Sequence, residues 1–175
     1  MATRTKRAPK KASKVKAAPK TVQPIPAGYP PITAYLRLRG ADRALEFYKK
    51  AFGATAKGRM AGPDGRVMHA EMQVFNTRVM LCDEFPDRGA LSPESLKGSS
   101  VGLFVYTRDV DGAIARAVAA GATVTMPAQD MFWGDRFGTI RDPFGHDWQL
   151  ATHKEDVTPK EMERRFQAMQ AQQKG

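Results

Sequence analysis

One cysteine and three histidines are all that the 175 residues offer of the usual soft metal ligands. A lone Cys82 excludes an intramolecular disulfide and a cysteine-built zinc site, and its setting in the strand-like run RVMLCDE reads as a buried, inert thiol of a reducing compartment, the cytoplasm. No apolar run approaches the ~18 residues that a membrane span needs, and no apolar core of a secretory signal is present. Also missing are a glycine-rich phosphate loop, paired cysteines and a Ser or Cys nucleophile elbow; GPDG at 62–65 is a turn signature.

Acidic residues are absent from the first 20 positions, which hold eight Lys or Arg, so the net charge of +10 belongs mostly to a tail. The other 155 residues carry 20 basic and 18 acidic side chains and are nearly neutral. The tail has no aromatics and is broken by Pro9 and Pro19, so it cannot bury enough surface to offset its ordering entropy and is expected to be disordered. Such a polycation contacts nucleic acid without sequence preference and with strong salt dependence; the alternative is a solvated extension that keeps the protein soluble.

Beyond the tail, the chain is organised by a repeat. ITAYLRL (32–38) reads as a strand, Asp42 opens a helix with apolar Ala44, Leu45, Tyr48 and Phe52, and Gly53 stops it. VMHAEMQVF and TRVMLCD are strands joined by a tight turn. The second half repeats the plan with VGLFVYT (101–107), a helix capped by Asp109 or Asp111, and a stop at Gly121. Superposing FGATAKG on AGATVTM sets an offset of 68, which lays VML at 79–81 on DWQ at 147–149. The expected fold is α+β: two βαβββ modules whose curved mixed sheets surround a cleft, each sheet covered by a helix on one face only.

The segment DMFWGDRFGTIRDPFGHDW (130–148) sets Phe132, Trp133, Phe137 and Trp148 among charges such as Arg136, which fits a cleft that is apolar but wet. TPKE at 158–161 is a capping box, and Met162, Phe166 and Met169 then form an apolar stripe on a C-terminal helix, for docking on the domain or on a partner subunit. The expected boundaries are a basic tail and linker at 1–30, the paired domain at 31–155 (modules about 31–98 and 99–155), and a helix and tail at 156–175.

Together with the repeat, LEFYKKAFGA, GRVMHAEMQV, DMFWGDRFG and DPFGHDWQLATH resemble the vicinal oxygen chelate superfamily, also called the glyoxalase/bleomycin resistance/dioxygenase superfamily, in its PhnB-like branch, over roughly residues 30–170. The resemblance implies a homodimer or fused modules and, in enzymatic members, a divalent metal held by His or Glu at four strand positions. Those positions fall at Thr33, near Leu81, between Ser100 and Gly102, and at Gln149, none of them a His or a carboxylate. Two neutral oxygen ligands do not offset dehydration of a divalent ion, so no metal and no other cofactor is expected.

His69 and Glu71 stand at i and i+2 of a strand and share a face: as a pair that orients a ligand, as metal ligands with a third residue, or as a structural pair. His146 caps the DPFG turn, and His153 is expected to be exposed. Two functional readings are open. The first is a metal-free small-molecule-binding protein, with ligand contacts expected at His69, Glu71, Phe132, Trp133, Arg136, Phe137, Trp148 and Gln149, in a cytoplasmic homodimer with no membrane association. The second is a metal-dependent lyase, isomerase or dioxygenase with a non-standard site and a divalent cation as cofactor. The sequence leaves open whether the protein is an enzyme.

Overall fold

A computed structural model describes residues 22–173. The expected disorder of the basic tail and its contact with nucleic acid lie outside the described residues. The first module runs β1 (Tyr35–Leu38), α1 (Ala41–Phe52), β2 (Thr55–Ala61), β3 (Val67–Val74) and β4 (Thr77–Asp83). A connection comes next, with one 3₁₀ turn (Pro86–Arg88) and a short α2 (Pro93–Leu96). The second module runs β5 (Gly102–Tyr106), α3 (Val110–Ala119), β6 (Thr123–Asp130), β7 (Asp135–Arg141) and β8 (Asp147–His153), and α4 (Pro159–Gln173) closes the chain.

Each module forms its own mixed sheet, β1-β4-β3-β2 and β5-β8-β7-β6, with the first pair parallel and the others antiparallel. Period-two alternation sets the faces: Ala70, Met72 and Val74 of β3 are buried under α1, while His69, Glu71 and Gln73 point to the other side. Helix starts differ between the modules. Asp109 caps α3 by accepting from the Gly112 N–H at 2.9 Å. Asp42 does not cap α1; it pairs with Arg59 of β2, and Asp83 at the end of β4 accepts from the Gly40 and Ala41 N–H groups, at 2.8 Å each. Gly53 ends α1 at φ 67°, where a Cβ would be strained.

The modules meet through their helix sides in one shared core, with α1 packed on α3. Trp148 lies at its centre, 2% exposed, its ring 5.5 Å from Tyr48 and 4.8 Å from Phe52. Asp142 is buried between them, accepting from the Tyr48 hydroxyl at 2.7 Å and the Trp148 indole N–H at 3.0 Å. The expectation that Trp148 lines the cleft is therefore corrected: it is a core residue. Its place among the aromatics and charges of 130–148 does not set its face; register does. Leu36 pairs with Leu81 and Val105 with Leu150, an offset of 69 in these strands, whereas Ala70 and Gly138 face those same leucines at an offset of 68. A one-residue slip moves a strand residue to the opposite face, so Trp148 corresponds to core-facing Val79 rather than to Met80.

The described part of α4 keeps half of the expected capping box. Thr158 accepts from the Glu161 N–H at 3.3 Å, while the Glu161 carboxylate turns to Arg164 and Arg165. Phe166 rests on Phe132 at 5.2 Å, so this helix docks beside the β6–β7 turn. No helix among the described residues is long and apolar enough to cross a membrane.

Candidate functional site

Two open sheet faces, one per module, carry the side chains left over from the core. On the first, Glu71 is held by three groups. The Tyr29 hydroxyl reaches its two oxygens at 2.6 and 2.7 Å, Arg78 Nη1 reaches Oε2 at 2.8 Å, and His69 Nε2 lies 3.1 Å from Oε1. Hydrogen bonds from Tyr29 first, then from His69 and Arg78, hold this carboxyl below its usual range. His69 stacks on Tyr35 at 5.8 Å, and burial pushes the Tyr35 phenol up to about 12. Cys82 is buried beside Tyr35, its thiol raised by desolvation, as an inert thiol would be.

The second face is aromatic. Phe104 and Phe137 stack with planes 17° apart and centroids 5.7 Å apart, Tyr106 tilts on Phe104, and Trp133 meets Phe137 edge-on. Phe104 and Tyr106 are 48% and 61% exposed. Asp135 is buried under this wall and accepts from the Tyr106 hydroxyl at 3.1 Å, the Trp133 indole N–H at 3.1 Å and His153 Nδ1 at 2.7 Å. His153 also meets Asp156 at 3.0 Å, and the two carboxylates, Asp135 foremost, raise the imidazole above its ordinary value. Its side chain is half-exposed. Gly134 is required where the chain enters β7: at φ 96°, a Cβ there would lie 2.2 Å from the Glu155 carbonyl oxygen.

Of the residues expected to contact a ligand, His69 and Glu71 fall on the first face, and Phe132, Trp133, Phe137 and Gln149 on or beside the second. Among the described residues no hydrogen bond, ion pair or aromatic contact joins the two sets. Arg136 needs a correction. It alternates with Phe137 and so lies on the helix side of β7, where it forks onto Asp111 of α3 at 2.6 and 2.7 Å and reaches Asp130 at 3.3 Å. His146 does not cap its turn as expected: the Asp142 carboxylate does, accepting from the Phe144 and His146 backbone N–H groups at 2.9 Å each, while the His146 ring reaches across to lie 3.3 Å from the Arg37 carbonyl oxygen of β1.

Sequence reasoning missed Phe104, Tyr106, Arg78 and Tyr29. For the first two a signal existed: in GLFVY, Leu103 and Val105 turn toward the helix, so Phe104 and Tyr106 must share the other face. Tyr29 sits in irregular chain and gave none.

The four positions that the family pattern assigns to metal ligands do not fit a divalent ion. Thr33 donates its hydroxyl to the Pro30 carbonyl, Leu81 is fully buried, and Gly102 has no side chain, its Cβ direction filled by the Gln149 amide at 2.9 Å. Hard cations need charged oxygen or imidazole ligands that converge, and no such cluster of three occurs among the described residues.

The family model described as the Glyoxalase/Bleomycin resistance protein/Dioxygenase superfamily matches residues 32–150. The chain belongs to this superfamily. An uncharacterized protein of Mycobacterium tuberculosis, Rv0887c, is 39% identical over 137 residues, covering 77% of this chain and 81% of that one. A crystal structure of the Arabidopsis thaliana gene product At5g48480 is similar at TM-score 0.58 and 28% identity, over 70% of this chain and 98% of that one. The PhnB protein of Bacillus cereus shares the fold at TM-score 0.55 and 22% identity, over 70% and 99% of the two chains.

Proposed function

We propose that this superfamily member is a small-molecule-binding protein that works without the usual divalent metal, taking a planar aromatic group on the wall of Phe104, Tyr106, Phe137 and Trp133. The observation that carries the reading is the stacked Phe104–Phe137 pair, with Phe104 half-exposed, on an open sheet face. A contiguous exposed aromatic surface is costly in water and marks a binding site. Gln149 supplies an amide at its edge, and Asp135 fixes the Trp133 and Tyr106 rings by accepting from both. Rings locked in this way lose little entropy when a ligand stacks on them.

A second copy of the chain is proposed to close the groove over the aromatic face, where Phe104 and Tyr106 stay exposed in one chain, since homo-oligomers bury like surfaces symmetrically. The metal-dependent lyase, isomerase or dioxygenase reading has less support, because Glu71 is already hydrogen-bonded to Tyr29, Arg78 and His69 and would have to shed them to ligate.

The test uses naphthalene-2-sulfonate as a fluorescent planar probe with full-length protein, before and after exhaustive treatment with a chelator, and sedimentation on the same samples. The proposal expects unchanged binding and a dimer at micromolar concentration. Loss of binding on metal removal, restored by a divalent ion, overturns it in favour of the metal-dependent reading.

A further inference from the structure

The face that carries Glu71 already holds an occupant from its own chain. Tyr29 precedes residue 32, where the family match begins, so it belongs to a segment in front of the matched domain. Its phenol sits as a bound ligand would. The hydroxyl spans both Glu71 oxygens, at 2.6 and 2.7 Å, and the Arg78 guanidinium lies 4.1 Å from the ring centroid as a cation–π partner. His69 steadies the same carboxylate.

The delivering segment is pre-shaped. Pro24, Pro26, Pro30 and Pro31 limit its freedom, Tyr29 N–H bonds the Pro26 carbonyl at 3.2 Å, and Gly28 takes φ 82° under Arg78. Residues 22–33 belong to no strand or helix, the chain first joining a sheet at Ala34, whose carbonyl accepts from the Met80 N–H at 2.9 Å, and the occupied state leaves Arg78 Nε buried without an acceptor. A strap held by one side chain, over a donor left unsatisfied, is displaceable.

We infer that Tyr29 is a tethered stand-in for a phenolic ligand: Glu71, Arg78 and His69 form a subsite for a hydroxylated aromatic ring, and the strap of residues 24–31 swings out when such a ring binds. The chemistry selects the class. Glu71 requires a donor and repels an anionic head group, and Arg78 requires an aromatic face, which an aliphatic alcohol lacks. This rests on reading the open faces as ligand walls, but the two ideas fail separately, because naphthalene-2-sulfonate reports on the second sheet and the strap is on the first.

The experiment titrates the full chain with p-cresol by calorimetry. In the wild type the tethered phenol competes at high effective concentration and p-cresol binds weakly. Y29A should bind p-cresol at least tenfold more tightly, adding E71Q should remove the gain, and toluene, which lacks the hydroxyl, should gain nothing. Y29F, which keeps the ring and guards against a packing defect, should gain at least threefold. The inference is overturned if folded Y29A or Y29F binds p-cresol no better than wild type, or if toluene gains as much as p-cresol.

Discussion

Replacing Phe104 by alanine puts a number on the aromatic wall. A fully covered Phe buries about 200 Å², and Phe104 is 48% exposed beside Phe137. That leaves about 100 Å² for a ligand to cover, or roughly 2.5 kcal/mol at ~25 cal/mol per Å². Alanine recovers a small part of this, so Phe104→Ala should cost about 2 kcal/mol of binding, near 30-fold in Kd. Fluorescence titration with naphthalene-2-sulfonate reads the loss, and circular dichroism checks that the fold survives. Arg136→Gln serves as a control on the opposite side of β7, where Asp111 and Asp130 hold that guanidinium, and it should leave Kd within twofold. A folded Phe104→Ala protein that binds within threefold of wild type would refute the reasoning, and so would an Arg136→Gln defect as large as that of Phe104→Ala.

Two further outcomes are expected. Trp148→Ala opens a cavity between Tyr48, Phe52 and Asp142 and should lower unfolding stability by about 3 to 5 kcal/mol in urea; a loss below about 1 kcal/mol would place the indole outside the core. His153 has a folded-state pKa raised above its ordinary value, chiefly by Asp135 and also by Asp156, so its contribution is full below about pH 6.5 and is lost as pH rises through the higher folded value. The melting-temperature gap between wild type and His153→Ala should then be widest in mild acid and close in alkali, and a gap that widens with pH would contradict the assignment.

The repeat was legible because its marks are local. The Gly53 and Gly121 stops, the Asp109 cap and the alternation in VMHAEMQV each depend on a few neighbouring residues. What failed depended on register over longer spans. Trp148 was grouped with the cleft aromatics because it shares the segment 130–148 with them, and its true face follows only from strand register, where the offset is 69 in β5 and β8 rather than the 68 read from the helix ends. Arg136 was misplaced for a related reason: its position one residue from Phe137 already sets it on the opposite side, and Asp111, which holds it there, is 25 residues away. Tyr29 was unreadable because nothing in VQPIPAGYPP says where the ring lands; only the fold brings it 42 residues across to Glu71.

The central claim, an aromatic wall that binds without a metal, is tested most directly by mapping chemical-shift changes on the isotopically labelled full chain, stripped of metal, as naphthalene-2-sulfonate is added. The account predicts the largest shifts at Phe104, Tyr106, Phe137, Gln149 and the Trp133 indole N–H, the same with or without a chelator. Shifts that appear only after a divalent ion is added, and that centre on His69 and Glu71, would contradict it.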